Sequence, residues 1–394
     1  MPLAAERARR SVDALVAWID RHGWAGFDPY DLRARPAFRR PGAVGGALRR
    51  LDDLAPWALR RALGVRPTVN AKAMALFADG FRRLYGATGD ERHLDRAREA
   101  LAWLEANASP GYNGLCWGYP FDWATRILVP RGTPSAVVTA TAGQAFLGFW
   151  ELTGEARYLD ACRGICTFFT ADLNRDEVGD GALCFSYTPL DRFHVHNANL
   201  MVAELLAQVG AATGDDGLSG LAARAAAYAL GEQNADGSLC YWGRDQDTGC
   251  RIDHYHSGFE IRSLHAIWRV TGAPEVERAW RAYHAFYAAR LFEDGTVPKL
   301  TPASTYPIDI HACAEAILCN SVLAIDVPAA AAILDRCLPW TLDHMQSPEG
   351  WFAHRILRLR GRREWRVAMP YMRWGQAWML RALAEVVALD TARA

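Results

Sequence analysis

Hydrophobic residues recur along the chain with the spacing of amphipathic helices, and polar turns separate one helical stretch from the next. In one stretch Leu200, Val202, Leu205, Leu206 and Val209 lie at helical spacing. The same periodicity along the rest of the chain predicts about twelve helices. They are expected at residues 5–22, 68–86, 91–107, 135–152, 156–172, 196–212, 217–233, 257–270, 275–291, 309–325, 328–345 and 372–388.

Two families of glycine turn alternate between these helices. In the first, Thr-Gly ends one helix and an acidic residue or proline opens the next. It occurs at Gly89, Gly154, Gly214 and Gly272. In the second, aromatic or apolar residues follow the glycine, as in "DGSLCYW" at 236–242. Its glycines are Gly114, Gly181, Gly237, Gly295 and Gly350, spaced by 67, 56, 58 and 55 residues.

This alternation predicts helix pairs that repeat about every 57 residues, which is typical of an open solenoid or a closed ring. Six pairs account for the whole chain, and neither end has a polar capping repeat, so closure is favoured. We therefore expect an all-α protein, a single (α/α)6 toroid domain over residues 1–394. Its long loops and short β-hairpins should gather at one mouth. There the second turn family would aim aromatic residues at a central cavity, or would only pack loops onto helix ends.

Composition narrows the class of protein further. Hydrophobic residues make up 51% and charged residues 22%, as in a globular protein with a large core. Basic and acidic residues balance at 44 each, so no overall field favours nucleic acid. No stretch of 18 uncharged apolar residues and no secretory leader is present, which predicts a cytoplasmic protein without membrane insertion. The nine cysteines are scattered and form no C-x-x-C, so we interpret them as reduced core residues.

Polar residues concentrate just before or within the first turn of the expected inner helices. The segments are "WGYPFDWATR" at 117–126, "HVHNAN" at 194–199, "RIDHYHSGFE" at 251–260, "TYPIDIHAC" at 305–313 and "PYMRWGQ" at 370–376. Five of the eleven histidines fall in them. Ring closure would bring these segments together around one mouth.

The candidate site residues come from these segments and from the basic stretch that follows residue 351. The candidate catalytic residues are His196, His256, Tyr255, Asp309 and Asp122. The candidate substrate-binding residues are Trp117, Trp123, Arg126, Asn197, Trp242, Asp253, His254, Tyr306, His311, Arg366, Tyr371, Arg373 and Trp374. One histidine of each His-x-His pair could instead pack or cap, and Asp253 and Asp309 occupy positions typical of helix N-caps.

A basic hairpin is expected within residues 351–374, where apolar and charged positions alternate around a glycine. Its arginines are Arg355, Arg358, Arg360, Arg362, Arg363, Arg366 and Arg373. They could hold an anionic ligand, because arginine forms forked bonds with carboxylates and phosphates, or they could simply keep an exposed edge soluble.

We expect no metal or other cofactor. Asp253, His254 and His256 have the side-chain types that bind zinc, which leaves a catalytic zinc as an alternative. However, no two histidines stand four residues apart on one helix face in these segments.

Some motifs resemble known families. "QNADGSLCYW" and "QSPEGWF" are similar to turns of the squalene-cyclase and protein-prenyltransferase type of toroid, but the D-x-D-D acid motif and the zinc ligands of those enzymes are absent. "IDHYHSGFE", "PIDIHACAEAI" and "YMRWGQAWM" resemble a bacterial family encoded among capsule and exopolysaccharide biosynthesis genes. That resemblance, over about residues 110–385, implies a toroid with a polysaccharide-linked role. The N-acylglucosamine 2-epimerases share the length and expected barrel but not these motifs.

The favoured function is that of a carbohydrate-active enzyme on an anionic, uronate-containing glycan, by lyase-type or epimerase-type proton abstraction. Asn197 or Arg373 would neutralise the carboxylate, His196 or His256 would be the base, and Tyr255 or Tyr306 the acid. One alternative is a glycoside hydrolase that pairs Asp122 with Asp253 or Asp309. Others are a terpenoid cyclase-like enzyme and a non-catalytic glycan-binding subunit.

Overall fold

The computed structural model describes residues 2–247, 249–359 and 363–393, with no account of the side chains of residues 2–4 and 393. The helices are α1 Pro2–His22, α2 Pro36–Arg39, α3 Ala43–Leu54, α4 Pro56–Ala62, α5 Ala71–Thr88, α6 Glu91–Ala106, α7 Ala136–Thr153, α8 Ala156–Ala171, α9 His196–Thr213, α10 Asp216–Glu232, α11 His254–Thr271, α12 Pro274–Arg290, α13 Ile310–Leu323, α14 Pro328–Met345 and α15 Trp378–Arg393. A π-helical turn, Met372–Ala377, leads into α15.

The strands are short and pair antiparallel. They are β1 Trp123–Ala124, β2 Leu128–Val129, β3 Arg175–Val178, β4 Ala182–Phe185, β5 Phe292–Glu293, β6 Val297–Pro298, β7 Ile308–Asp309, β8 Arg355–Arg358 and β9 Glu364–Val367. Three consecutive pairs form two-stranded sheets, and β7, β8 and β9 form a three-stranded sheet in that order. The basic hairpin is therefore confirmed as β8 and β9, while Arg360, Arg362 and the expected glycine turn between them lie outside the described residues.

Twelve of the helices form two concentric layers. Helices α5, α7, α9, α11, α13 and α15 form the inner ring, each packed against the next. Helices α6, α8, α10, α12, α14 and α1 lie outside them. The protein is an all-α (α/α)6 toroid, as the sequence predicts. We call the end at which the inner helices begin the upper end.

The ring is closed by contact between its first and last inner helices, α5 and α15. Gly80 of α5 lies so close to α15 that an added Cβ would be 2.4 Å from a methyl carbon of Leu380. Ion pairs join Arg381 to Asp79, and Arg83 to Glu385 at 3.3 Å. Close packing and buried charge therefore act together at the closure.

The Thr-Gly turns have the backbone that the sequence predicts. The Thr-Gly glycines are left-handed C-caps of the inner helices, for example Gly89 with φ of 69°, a conformation that glycine adopts without a Cβ penalty. In the second family, Gln233 Nε2 donates to the carbonyl oxygens of Gly237 and Ala279 at 2.7 and 2.9 Å. This glutamine thus ties its turn to the neighbouring outer helix. In the same way, Gln346 Nε2 donates to the carbonyl oxygen of Gly350 in its own turn and to that of Ser11 in α1.

The segment between α1 and α5 contains the three short helices α2, α3 and α4, where the sequence predicts none. Its anchor is Arg60, whose side chain is fully buried and pairs with Asp31 and Asp52 at 2.7 and 2.6 Å. Arg60 Nη2 also donates to the carbonyl oxygen of Asp28 at 2.8 Å. These charges hold the segment together, along with its small apolar cluster of Leu32, Phe38 and Leu59. Asp28 attaches it to the upper end by accepting two bonds from Arg373.

The cysteine prediction is wrong for one pair. Cys240 and Cys250 form a disulfide with Cα atoms 4.9 Å apart, across a loop whose folding the linear spacing did not reveal. The prediction is confirmed for the buried free cysteines, Cys116, Cys162, Cys166, Cys184, Cys313, Cys319 and Cys337. Within the described ranges, no helix is both long enough and apolar enough to cross a bilayer.

Ring closure can be tested with one substitution made at two glycines of α5. An added Cβ at Gly86 meets nothing within 4 Å, so Gly86→Ala should stabilise the protein by about 0.5–1 kcal/mol through helix propensity. Gly80→Ala has the same gain, but overpacking against α15 costs about 1–3 kcal/mol. We expect Gly80→Ala to be less stable than Gly86→Ala by that amount in urea unfolding. Equal stabilities would contradict close packing of α5 on α15.

Candidate active site

The upper end of the ring gathers the first turns of all six inner helices. Asparagine, serine and aspartate side chains cap four of them by accepting a backbone N–H bond. The caps are Asn70 on α5, Ser135 on α7, Asp253 on α11 and Asp309 on α13. Those first-turn side chains that point inwards therefore come together near the axis of the toroid.

A cluster of aromatic and imidazole rings, which we call the axial cluster, occupies this position. The ring of Tyr255 lies 4.5 Å from that of His256, 4.8 Å from that of His311 and 5.4 Å from that of Trp374. His311 and Trp374 are 4.2 Å apart. Adjacent inner helices thus place two imidazoles in contact with one tyrosine.

His311 is at the centre of the cluster and is 2% exposed. Neither of its ring nitrogens has a hydrogen-bond partner among the described residues. Burial, together with nearby Lys72 and Arg373, lowers its pKa well below the ordinary value. His311 is therefore neutral at neutral pH and has a free nitrogen that can accept a proton.

Lys72, in the first turn of α5, lies near this imidazole. Its Nζ is 5.4 Å from the ring centre of Phe259 and 5.3 Å from that of Trp378. Its side-chain amine forms no hydrogen bond or ion pair with any residue in the described ranges, although the side chain is buried. Burial, reinforced by Arg373, lowers its pKa to about 7. The amine can therefore gain or lose a proton near neutral pH.

His256 differs from His311 because a carboxylate orients it. Its Nδ1 lies 2.6 Å from Asp253 Oδ2, and Asp253 Oδ1 accepts the backbone N–H of His256 at 3.0 Å. Asp253 therefore both caps α11 and holds the imidazole in place. With Nδ1 bonded to the carboxylate, Nε2 is the nitrogen left for a ligand.

Three tyrosines border the opening above the cluster and remain partly exposed, namely Tyr30, Tyr119 and Tyr241. The guanidinium of Arg373 lies 5.8 and 5.1 Å from the rings of Tyr30 and Tyr119, and it binds Asp28 through two bonds of 2.5 and 2.8 Å. Burial raises the pKa of Tyr30 to about 12, so this phenol stays protonated. The segment before α2 therefore forms one wall of the site.

Asp309 lies at the cluster but is fully engaged. It is completely buried, and it accepts bonds from Trp374 Nε1 at 2.8 Å and Arg355 Nε at 2.5 Å. A third bond comes from the backbone N–H of His311 at 2.9 Å. This carboxylate joins α13, the basic hairpin and the π-helical turn.

Several candidates lie in the walls of the toroid, away from the axial cluster. His196 Nδ1 bonds the Cys240 carbonyl, and its ring stacks on Tyr228 of outer helix α10. His254 bonds the Lys299 carbonyl and the Tyr287 hydroxyl, and burial lowers its pKa to about 4. The buried Trp117 donates to the Leu104 carbonyl, Tyr371 packs on Arg60, and Asn197 is buried without a described partner for Oδ1.

Other candidates lie on loops around the upper rim. Asp122 is exposed and accepts the Arg131 N–H in its own loop at 2.9 Å. Arg126 stacks over Trp242 at 3.8 Å. The ring of Trp123 lies 5.1 Å from that of Tyr187. The hydroxyl of Tyr306 bonds Glu364, and Arg366 donates to the Met345 carbonyl.

Lys72 is the main residue of the cluster that the sequence interpretation missed. A lysine in the first turn of a helix is usually exposed, so its position gave no indication. Composition did single it out, because lysine is rare in this chain. Only Lys72 and Lys299 are lysines among the 44 basic residues. Tyr30, Tyr119 and Tyr241 lie in loops without a helical period, and only the fold brings them to the opening.

A cavity of about 200 Å³ lies in the lower half of the barrel, on the far side of Phe259 and Trp378. Its charged groups are mostly paired, as in the bonds of Arg262 to Glu315 and of Glu204 to Ser263. Single unpartnered atoms also occur in the walls, as at His196 Nε2 and Asn197 Oδ1. The unpaired imidazole of His311 and the unpaired amine of Lys72 instead lie near each other, so chemistry is better placed there. Among the described residues, no three His, Cys, Asp or Glu side chains are close enough together to hold a metal ion.

Comparison with known proteins identifies the fold. No protein-family model matches the sequence, and no curated protein matches it. Solved structures do match. Cellobiose 2-epimerase from Bacillus thermoamylovorans has a TM-score of 0.62 and 13% identity, covering 83% of this chain and 88% of that one. The chain has the fold of these toroids.

Two further structures match over almost the whole chain. A sugar epimerase from a ruminal bacterium has a TM-score of 0.63 and 11% identity, covering 97% of this chain and 98% of its own. A family 76 glycoside hydrolase, a mannosidase from Bacteroides thetaiotaomicron, has a TM-score of 0.61 and 10% identity, covering 99% of this chain and 100% of its own. At these identities the likeness establishes the architecture only.

The lowered pKa of Lys72 predicts a pH dependence of stability. Between pH 7 and 10.5 the unfolded chain binds a proton at this lysine that the folded chain does not, so wild-type stability should rise with pH. The slope is about 1.4 kcal/mol per pH unit at most. Lys72→Met should therefore stabilise the protein at pH 7, with a gain that shrinks towards pH 10.5. Urea unfolding across this range measures it, with Lys299→Met as the matched control. If the free energy of unfolding depended on pH in the same way in both variants, the lowered pKa of Lys72 would be contradicted.

Proposed function

We propose that this protein is a carbohydrate-active enzyme that removes a carbon-bound proton from its sugar substrate, in an epimerase-type or lyase-type reaction. One observation carries the proposal. His256 and His311 flank Tyr255 on adjacent inner helices, and each has a ring nitrogen free of described hydrogen-bond partners. Similarity in fold to sugar epimerases supports the substrate class.

The two imidazoles suit complementary roles. Neutral His311 accepts the proton from a carbon next to a carbonyl or carboxylate. His256, whose ring Asp253 orients, delivers a proton to the opposite face in an epimerase or to the leaving oxygen in a lyase. Asp253 is thus a positioning residue, comparable in role to the carboxylate of a hydrolase triad.

Removal of such a proton leaves negative charge on an oxygen, which needs a fixed positive group. Lys72, when protonated, is a cation near the axial cluster without a described acidic partner bonded to it, and Arg373, which Asp28 already binds, is a second positive group nearby. A carboxylate on the substrate would find the same two cations. An anionic, uronate-containing glycan is therefore our preferred substrate class, and the aromatic rings at the opening suit the faces of its sugars.

The alternatives are less well supported. A hydrolase needs two available carboxylates, whereas Asp309 accepts three bonds and Asp122 is exposed in a rim loop. A terpenoid cyclase would not need the unpaired imidazoles and amine. A glycan-binding subunit would use the same rings without turnover.

Two expectations from the sequence stay predictions. A role in capsule or exopolysaccharide biosynthesis rests on the motif resemblance alone. A cytoplasmic location has to accommodate the Cys240–Cys250 disulfide, a bond more typical of oxidising compartments.

Proton abstraction can be tested by exchange in deuterated water. The protein is incubated with reducing disaccharides, mannose and uronate oligosaccharides, and nuclear magnetic resonance follows deuterium at carbon and any unsaturated product. His311→Gln and His256→Asn should each lower exchange or turnover by about 10²–10⁴-fold, the usual contribution of a general acid or base.

The control variants are His344→Gln, on the exposed face of outer helix α14, and Asp122→Asn. Both should keep wild-type rates. Loss of activity in Asp122→Asn together with full activity in His311→Gln would favour the hydrolase. Binding of a glycan without any exchange or product would favour the binding subunit.

A further inference from the structure

Helix α3 has its polar and apolar faces reversed relative to an ordinary surface helix. Val44, Leu51 and Leu54 are 61%, 46% and 44% exposed, whereas Asp52 is 3% exposed. The reason is that Asp52 bonds the buried Arg60. The charge holds α3 to the protein, and the apolar stripe faces outwards.

Helix α4 packs against α3, and this part of the chain exposes further apolar residues. Trp57 and Leu63 are 49% and 40% exposed. Five of the eleven exposed large hydrophobic residues among those described therefore lie within residues 44–63. A monomeric protein seldom leaves such residues grouped unless the surface binds something.

The exposed charged residues between positions 34 and 68 are all arginines. Exposed arginines flank the apolar stripe at Arg39, Arg40, Arg50, Arg61 and Arg66. The acidic residues between positions 34 and 68 are Asp52 and Asp53, and Arg33 pairs with both, at 3.1 and 2.7 Å. A chain with no net charge thus carries a local basic and apolar surface.

We propose that α3 and α4 form a docking face for a membrane surface that contains anionic lipids. Short helices with leucine and tryptophan on one side and arginine beside them lie in the interfacial plane of a bilayer, with the apolar side in the acyl boundary and the cations on the phosphates. Arginine suits this because its guanidinium forms forked bonds with phosphate. The absence of a spanning helix among the described residues is compatible with peripheral attachment.

The docking face would orient the candidate active site. Arg60 ties α4 to Asp28 and Asp31, and the same stretch carries Tyr30, which stands against Trp374 at the opening. Docking therefore places the opening near the lipid surface. This inference does not depend on the reaction proposed for the axial cluster.

Vesicle binding by the full chain tests the proposal. The protein is sedimented with vesicles of phosphatidylcholine alone and of an equimolar mixture with phosphatidylglycerol, at increasing salt. We expect binding to the mixed vesicles that weakens with salt, and little binding to phosphatidylcholine. Arg50→Glu with Arg61→Glu should lower the partition coefficient by at least about tenfold, and so should Leu51→Ser with Trp57→Ser.

The matched control is Arg278→Glu with Ile325→Ser, which changes an exposed arginine and a 69% exposed isoleucine at the lower end. This variant should bind as the wild type does, and circular dichroism should show that all variants are folded. Three results would overturn the proposal. They are no binding to anionic vesicles, equal binding to both vesicle types, and a dimer in solution that Trp57→Ser dissociates.

Discussion

The contact between α5 and α15 closes the ring and thereby sets where the residues of the axial cluster lie. Residues of the axial cluster come from helices that are far apart in sequence, and only a closed ring brings Lys72 of α5 near His311 of α13. Closure requires a glycine where the two helices touch and opposite charges beside it. If the ring opened, the unpaired groups on the axis would become ordinary solvated side chains.

The interior of the ring differs from one half to the other. In the lower half, arginines and acids bond one another around a small cavity, as stable buried charges must. In the upper half, an imidazole and an amine lack such partners among the described residues. Buried groups without partners cost stability and are typical of sites that act on a ligand. The contrast locates the chemistry more clearly than cavity volume does.

The repeat could be predicted from the sequence because local chemistry fixes it. A glycine such as Gly89 must take the left-handed conformation that ends an inner helix, so periodicity and turns together gave twelve helices close to their true limits. Helices α2 to α4 could not be predicted, since α3 buries an aspartate and exposes leucines. Which residues of α3 are buried is set by its ion pairs with the rest of the fold and not by the spacing of its own apolar residues. The Cys240–Cys250 bond likewise depends on a loop path that spacing does not encode.

The site was only partly predictable for a related reason. His254 and His256 are two residues apart, so they point in different directions from one helix start, and sequence alone does not say which reaches the axis. All six inner helices begin at the upper end, so their peptide dipoles direct partial positive charge at the same point. That converging potential should disfavour an ammonium ion there and favour an oxyanion, whichever side chains are present. The architecture itself therefore contributes to the electrostatics that the reaction would need.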